Sequence, residues 1–286
     1  AKEALDTTVL GYTVALGIPE LRAAIAGQYL DRHGLTVDPD DVVITTGSSG
    51  GFLLAFLACF DAGDRVAIAS PPGYPPCYRN ILSALGCEVV EIPCGPPETR
   101  FQPTVQMLEA LDPPVQGGVI VASPANPTGT VIPPEELAAI ASWCSAGGAR
   151  LISDEVYHGL VYEGAPATSC AWATSRDSVV VNSFFSKYFA MTGWRLGWLL
   201  VPKELQRAVD RLTGNFTICP PTLPQLAAVA AFSPSRSPNP TRCCTTTPPT
   251  ADCYSTDCAV SASIGSPRPT ARSTSTPTSH TGPKIR

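Results

Sequence analysis

Val179-Val180-Val181-Asn182-Ser183-Phe184-Phe185-Ser186-Lys187 decides the fold, together with its continuation Met191-Thr192-Gly193-Trp194-Arg195-Leu196-Gly197. Three consecutive valines predict a short strand buried on both faces. The strand delivers a lysine set beside Ser183 and Ser186, with an arginine eight positions further on. A lysine at the end of a buried strand is either a loop lysine that reaches solvent or one kept for chemistry, such as Schiff-base formation with a carbonyl compound.

The same pattern recurs towards the N-terminus. Val42 to Thr45 reads as a strand and runs into Thr46-Gly47-Ser48-Ser49-Gly50-Gly51, expected as a turn before a helix from Phe52 to Phe60. Val66 to Ala69 ends at Ser70-Pro71-Pro72-Gly73-Tyr74, Gly118 to Ala122 at Asn126-Pro127-Thr128-Gly129, and Arg150 to Ser153 at Asp154-Glu155-Val156-Tyr157. Helical stretches separate these strands. One opens at Pro19 and closes before Gly34, and others cover Tyr78 to Leu85, Val105 to Leu111, Pro133 to Ala146, Lys203 to Leu212 and Thr222 to Phe232. Strand–helix alternation implies an α/β fold with a mostly parallel sheet, and such sheets bind ligands at the carboxyl ends of their strands. Ser48, Ser49, Tyr74, Asn126, Asp154, Tyr157 and Lys187 all fall there. Each also has an ordinary reading, as turn residues or as a tyrosine covering a core edge, but together they converge on one place.

Composition narrows the function. The 286 residues carry a net charge of −5, 15% charged residues and no basic block, which argues against nucleic acid or an anionic membrane as partner. No apolar run is long enough to cross a bilayer. Seven cysteines are scattered singly through residues 1–232 without CxxC spacing, as expected for reduced thiols in the cytoplasm. No metal site is expected, and the cluster Cys243, Cys244, Cys253 and Cys258 lacks a usual zinc spacing.

The strand-end groups fit one kind of ligand. A helix-start turn suits a phosphate, a tyrosine can stack on a planar ring, and a buried carboxylate suits a protonated ring nitrogen. Asparagine and tyrosine suit a phenolate-like oxygen, and a lysine suits an aldehyde. Pyridoxal 5'-phosphate has all five features. Asn126-Pro127-Thr128-Gly129, Ser153-Asp154-Glu155-Val156-Tyr157 and Ser186-Lys187 followed by Thr192-Gly193-Trp194-Arg195-Leu196-Gly197 resemble the class I/II aminotransferases of the aspartate aminotransferase superfamily (fold type I). The spacing agrees, with 28 positions from Asn126 to Asp154 and 33 from Asp154 to Lys187.

The resemblance covers residues 1 to about 232 and implies a three-layer large domain that binds pyridoxal phosphate. It also implies transamination between an L-amino acid and a 2-oxo acid. By the resemblance Lys187 forms the Schiff base and moves the substrate proton. Asp154 pairs with the ring nitrogen, and Asn126 and Tyr157 bond the phenolic oxygen. Tyr74 stacks on the ring, and Ser48, Ser49, Ser186 and Arg195 hold the phosphate. Tyr12 reaches the phosphate of a neighbouring subunit, which implies a homodimer. Two other readings use the same residues: a catalytically impaired cofactor-binding fragment, and a C–S β-lyase relative.

The sequence departs from the family pattern in four places. Phe184-Phe185 are two residues where the family has one, so Ser183 is left out of the expected phosphate ligands. Pro71-Pro72 form a doublet before Gly73-Tyr74. The chain starts at Ala1 in what reads as the tail of a helix, so the natural protein is expected to begin earlier and the family's N-terminal arm is missing. From Ser233 to Arg286 there is no Leu, Phe, Trp or Met, so this segment is expected to be disordered where the family carries a small α/β domain with a carboxylate-gripping arginine. Regrouping back-translated codons for Asp252 to Ser279 yields a leucine-rich helix and an aromatic strand, so a shifted reading frame is expected near residues 233–250.

Overall fold

The structure is a computed structural model that describes residues 1–70, 77–93, 101–160 and 169–232. Its elements are α1 (Lys2–Thr7), α2 (Pro19–His33), β1 (Val42–Thr45), α3 (Gly47–Cys59), β2 (Arg65–Ala69), α4 (Cys77–Ala84), β3 (Glu88–Ile92), α5 (Val105–Glu109), β4 (Gly118–Ala122), α6 (Pro134–Gly147), β5 (Arg150–Asp154), α7 (Ala171–Thr174), β6 (Val179–Asn182), β7 (Gly197–Leu200), α8 (Lys203–Phe216) and α9 (Thr222–Ala231). Short 3-10 turns at Pro39–Asp41 and Thr192–Trp194 precede β1 and β7. Tyr74, the Pro71-Pro72 doublet, and the expectations for residues 233–286 lie outside the described residues.

The seven strands form one sheet in the order β1-β7-β6-β5-β4-β2-β3. Strands β2 to β6 pair in parallel, whereas β7 runs antiparallel to both β1 and β6. Strand β1 therefore points the same way as the parallel set. The start of β7, at Gly197, lies on the edge where the other strands end. The α/β architecture, with helices flanking a mostly parallel sheet, is as expected.

Burial explains the apolar strands. Every residue of β1, β4, β6 and β7 is buried, as required of strands covered on both faces. Ile44, Ile68, Ile120, Ile152 and Leu199 form the centre of this core. Helix α2 starts at the expected proline and ends at Gly34, whose left-handed backbone (φ 61°) closes the last turn.

Three local readings need correcting. Gly47-Ser48-Ser49-Gly50-Gly51 is the first part of α3 rather than a turn before it, because Gly47 (φ 70°) turns the chain from strand to helix within one residue. Strand β5 runs one residue further than the expected Arg150–Ser153, so that Asp154 is its last residue. Helix α7 was not expected, since four residues carry no readable periodicity.

The Phe184-Phe185 doublet is accommodated by packing. Phe185 is fully buried, edge-on to Trp198 at 5.3 Å and to Phe232 at 5.4 Å, while Phe184 stacks on Tyr188 at 4.2 Å. The backbone between them folds into a tight turn in which Ser186 N–H donates to the Ser183 carbonyl at 2.8 Å.

Gly118 shows how closely the sheet and its helices meet. A methyl group there would stand 2.5 Å from the Phe60 ring and 2.8 Å from the Arg150 carbonyl. We expect Gly118→Ala to destabilise the fold by about 1–3 kcal/mol. The readout is a lower urea midpoint with an unchanged slope.

Candidate active site

Asp154 sits at the carboxyl end of β5, between Ala122 of β4 and Val181 of β6 in register, and is 7% exposed. Its Oδ1 accepts the Val156 N–H at 3.0 Å and its Oδ2 accepts the Tyr78 hydroxyl. Burial pushes its carboxyl up to about 6, and the two hydrogen bonds and the nearby Lys187 charge only partly offset that cost. Tyr78, on α4, was not anticipated as a site residue. It is fully buried, and burial together with the Asp154 charge raises its phenol well above the ordinary range, so it is a fixed donor. Sequence reading misses this contact because it spans 76 positions and is made only by the fold.

Around Asp154 the structure gathers three more of the expected residues. Asn126 Nδ2 donates to the Tyr157 hydroxyl at 3.3 Å, linking the loops after β4 and β5. Lys187 Nζ lies 5.3 Å from the centre of the Tyr157 ring. These groups line one edge of the sheet as hydrogen-bonding and basic functions facing a buried carboxylate.

A second cluster forms where β1, β6 and β7 meet. Thr46, at the N-terminal cap of α3, makes no side-chain capping bond, and among the described residues no side chain takes up the first N–H groups of that helix. The Arg195 guanidinium lies directly over this turn. A methyl group on Gly47 would be 2.6 Å from Arg195 Nη2, and one on Gly197 would be 2.8 Å from the Gly47 carbonyl carbon and 2.9 Å from Ser48 N. Both glycines are thus set by close approach, and the helix start, with Ser48 and Ser49, faces an arginine. Arg195 itself adopts a left-handed backbone (φ 52°) that orients its side chain back over the helix.

The remaining expected residues are placed differently. Ser186 is buried, its Oγ 2.8 Å from Ser183 Oγ, which also donates to the Leu196 carbonyl at 3.0 Å. Tyr12 is 83% exposed and stands apart from both clusters within this chain.

The residues present fit pyridoxal phosphate on two observations. An uncapped helix start under an arginine suits a phosphate. A carboxylate whose burial is only partly compensated suits a cationic ring nitrogen.

The sequence profile described as "Aminotransferase class I and II" matches residues 1–240. The chain belongs to the class I and II aminotransferases. It is 80% identical over 234 residues to the valine–pyruvate aminotransferase of Mycobacterium tuberculosis, covering 82% of this chain and 59% of that protein. It is 35% identical over 233 residues to the aspartate/prephenate aminotransferase of Thermus thermophilus, covering 82% and 59%. A crystal structure of an aminotransferase from Mycobacterium tuberculosis superposes with a TM-score of 0.79 at 78% identity, over 82% of this chain and 60% of that one. The chain spans about three-fifths of the length of these relatives.

Asp154 gives a pH test on the cofactor-free protein. Its folded value is raised from 3.8 to about 6, so burial costs nothing below pH 3.8 and the full amount above pH 6. Stability therefore falls as pH rises through that window, and Asp154→Asn removes Asp154's share of the fall, roughly 3 kcal/mol at pH 7. Urea melts of wild type and variant from pH 4 to pH 8 measure it; parallel pH curves are the contrary result.

Proposed function

We propose that this chain is the large domain of a pyridoxal-phosphate-dependent aminotransferase that exchanges an amino group between an L-amino acid and a 2-oxo acid. The single observation that carries the proposal is the buried Asp154 carboxylate facing Lys187, beside an arginine-covered helix start. The 80% identity to a valine–pyruvate aminotransferase supports valine as amino donor and pyruvate as acceptor.

Each site residue has a role in this reading. When bound, pyridoxal phosphate supplies an aldehyde and an electron-withdrawing ring. Asp154, held by Tyr78 and Val156, pairs with the ring nitrogen and keeps its proton in place. The helix start with Ser48, Ser49 and Arg195 binds the phosphate, Arg195 through a charge-assisted fork. Ser186, bonded to Ser183, completes that side. Asn126 and Tyr157 donate to the phenolic oxygen. Tyr74, which lies outside the described residues, is assigned to stacking on the ring by the family resemblance alone. Lys187 presents its amine to the aldehyde carbon and carries the proton at the substrate Cα.

We assign the protein to the cytoplasm and to a homodimer. Among the described residues no helix is long and apolar enough to cross a membrane, and six cysteines are free. Tyr12 lies in an apolar strip with Val9 (90% exposed), Leu10 and Val14 that suits a second copy, through which Tyr12 would reach the partner's phosphate site. Residues 233–286 are read as a shifted frame, a reading supported by their lack of Leu, Phe, Trp and Met. Sequencing the gene across codons 230–250 decides it, and an unbroken frame overturns it.

Titration of the full chain with pyridoxal phosphate tests the function. An absorbance band from lysine-bound cofactor is expected, and it should be absent in Lys187→Ala. Arg195→Ala should weaken cofactor binding by about 10- to 100-fold, as for loss of a charged hydrogen bond of roughly 1.5–3 kcal/mol. Valine added to the loaded protein should give 2-oxoisovalerate, about 100- to 10,000-fold more slowly in Lys187→Ala. A band that forms but does not respond to any amino acid identifies an inert binder. No band in wild type overturns the proposal.

A further inference from the structure

Lys187 stands in a turn whose aromatic neighbours are gripped by a residue far away in the chain. The doublet before it divides two tasks. Phe185 fills the core, whereas Phe184, three residues before the lysine, stacks on Tyr188, the residue after it, with ring centres 4.2 Å apart and planes 16° from parallel. Arg32, in the last turn of α2, lies against this pair. Its guanidinium carbon is 4.3 Å from the centre of the Tyr188 ring and 4.6 Å from that of Phe184, so it sits at the seam of the stack and within cation–π range of both rings. Gly159, two positions after Tyr157, completes the contact. It adopts a left-handed backbone (φ 82°), and a methyl group on it would stand 2.7 Å from Phe184 Cε2, 2.9 Å from Arg32 Nη1 and 3.1 Å from Tyr188 Cδ2.

We propose that Arg32 is a positioning residue that holds Lys187 against Tyr157, by clamping the turn after β6 to the turn after β5. The lysine is bracketed by the two gripped rings. Its own N–H donates to the Ser183 carbonyl at 3.3 Å, and the Phe189 N–H donates to the Phe184 carbonyl at 3.2 Å. These bonds lie within the turn, so they set its shape, and a shift of either ring carries the lysine backbone with it. The stance of the turn towards Tyr157 is a matter of side-chain packing, and the Gly159 contact joins the two turns. The same two turns carry the facing pair, Lys187 Nζ and the Tyr157 ring, 5.3 Å apart.

Arginine suits this place. Its planar group reaches two rings at once and keeps its charge at any working pH. Arg32 is exposed, so the guanidinium stays hydrated while it attracts the ring faces. Phe184 is held on its other contacts by Phe189 at 5.2 Å and Trp198 at 6.3 Å, so the core fixes one side of the stack and Arg32 the solvent side. Arg32 acts on the lysine only through the rings. That Lys187 is the reactive amine rests on the pyridoxal phosphate reading, whereas the clamp and its effect on the lysine's position do not.

The test uses the cofactor-free full chain labelled with carbon-13 lysine, so its outcome is separate from cofactor binding. The chain has four lysines, Lys2, Lys187, Lys203 and Lys284, and Lys187→Arg identifies the Lys187 side-chain resonance by its loss. In wild type the Tyr157 ring should displace that resonance from the position of Lys2 and Lys203, which are exposed. Arg32→Leu, which covers the rings without charge, should lose the displacement. Arg32→Gln is read alongside and should lose it too, so the answer survives a variant that fails to fold. A lower Tm with the displacement intact makes Arg32 a stabiliser of the fold only and overturns the proposal, as does a wild-type lysine that shows no displacement. Given pyridoxal phosphate, Arg32→Leu should form the lysine-bound band about 10- to 100-fold more slowly than wild type, and an equal rate overturns the proposal. A wild type that forms no band at all overturns the function proposed above, and the lysine displacement then decides the role of Arg32 by itself.

Discussion

Asp154 is a charge that the fold has to bury before it has anything to pair it with. It ends a central strand, flanked in register by Ala122 and Val181, where it is almost wholly buried. Two donors, from Tyr78 and Val156, fix both oxygens but do not repay the desolvation. Much of the surrounding structure follows from that single placement. Helix α4 is positioned to bring a phenol across the sheet edge, the turn after β5 aims an N–H backwards, and the lysine after β6 arrives on the same edge. A cationic ring in front of the carboxylate would complete the compensation, so affinity for such a ligand is stored in the folded protein as an unmet electrostatic demand.

The arginine-covered start of α3 depends on absence of side chains. Gly47 and Gly197 allow the α3 backbone, the β7 backbone and the Arg195 guanidinium to occupy a space that a single methyl group would fill. Arg195 accepts a left-handed backbone to lie there, an arrangement that costs a non-glycine residue energy and that persists where the surroundings dictate it. This corner of the sheet is thus built from close packing and backbone polarity, with one charged side chain added.

The strand-end residues were legible because parallel strands buried on both faces give continuous apolar runs, and each run stops where its polar cargo begins. Asn126, Asp154 and Lys187 could be placed that way. The start of α3 was not legible, since Gly47-Ser48-Ser49-Gly50-Gly51 has poor helix propensity and is helical only because its face packs on β6 and β7. Tyr78 acts through space across a long stretch of chain, and no local pattern announces such a contact. The insertion of β7 between β1 and β6 is likewise a matter of strand order, about which the residues of a short apolar strand say nothing. Phe185 looked like a disruption in the sequence; the aromatic cluster of Trp198, Phe189 and Phe232 gives it a place.

The position of β7 has a bearing on biosynthesis. Thr45 and Gly197 are register partners although some 150 residues separate them, and the arginine over the helix start immediately precedes that strand. A nascent chain released up to Lys187 already contains the buried carboxylate, its phenol donor and the lysine, yet lacks the strand that seats against β1. Loop closure of this length is slow and comes late. The seat formed by Gly47, Gly197 and Arg195 therefore exists only in a finished sheet: it is not assembled until the strand after the lysine has slotted home.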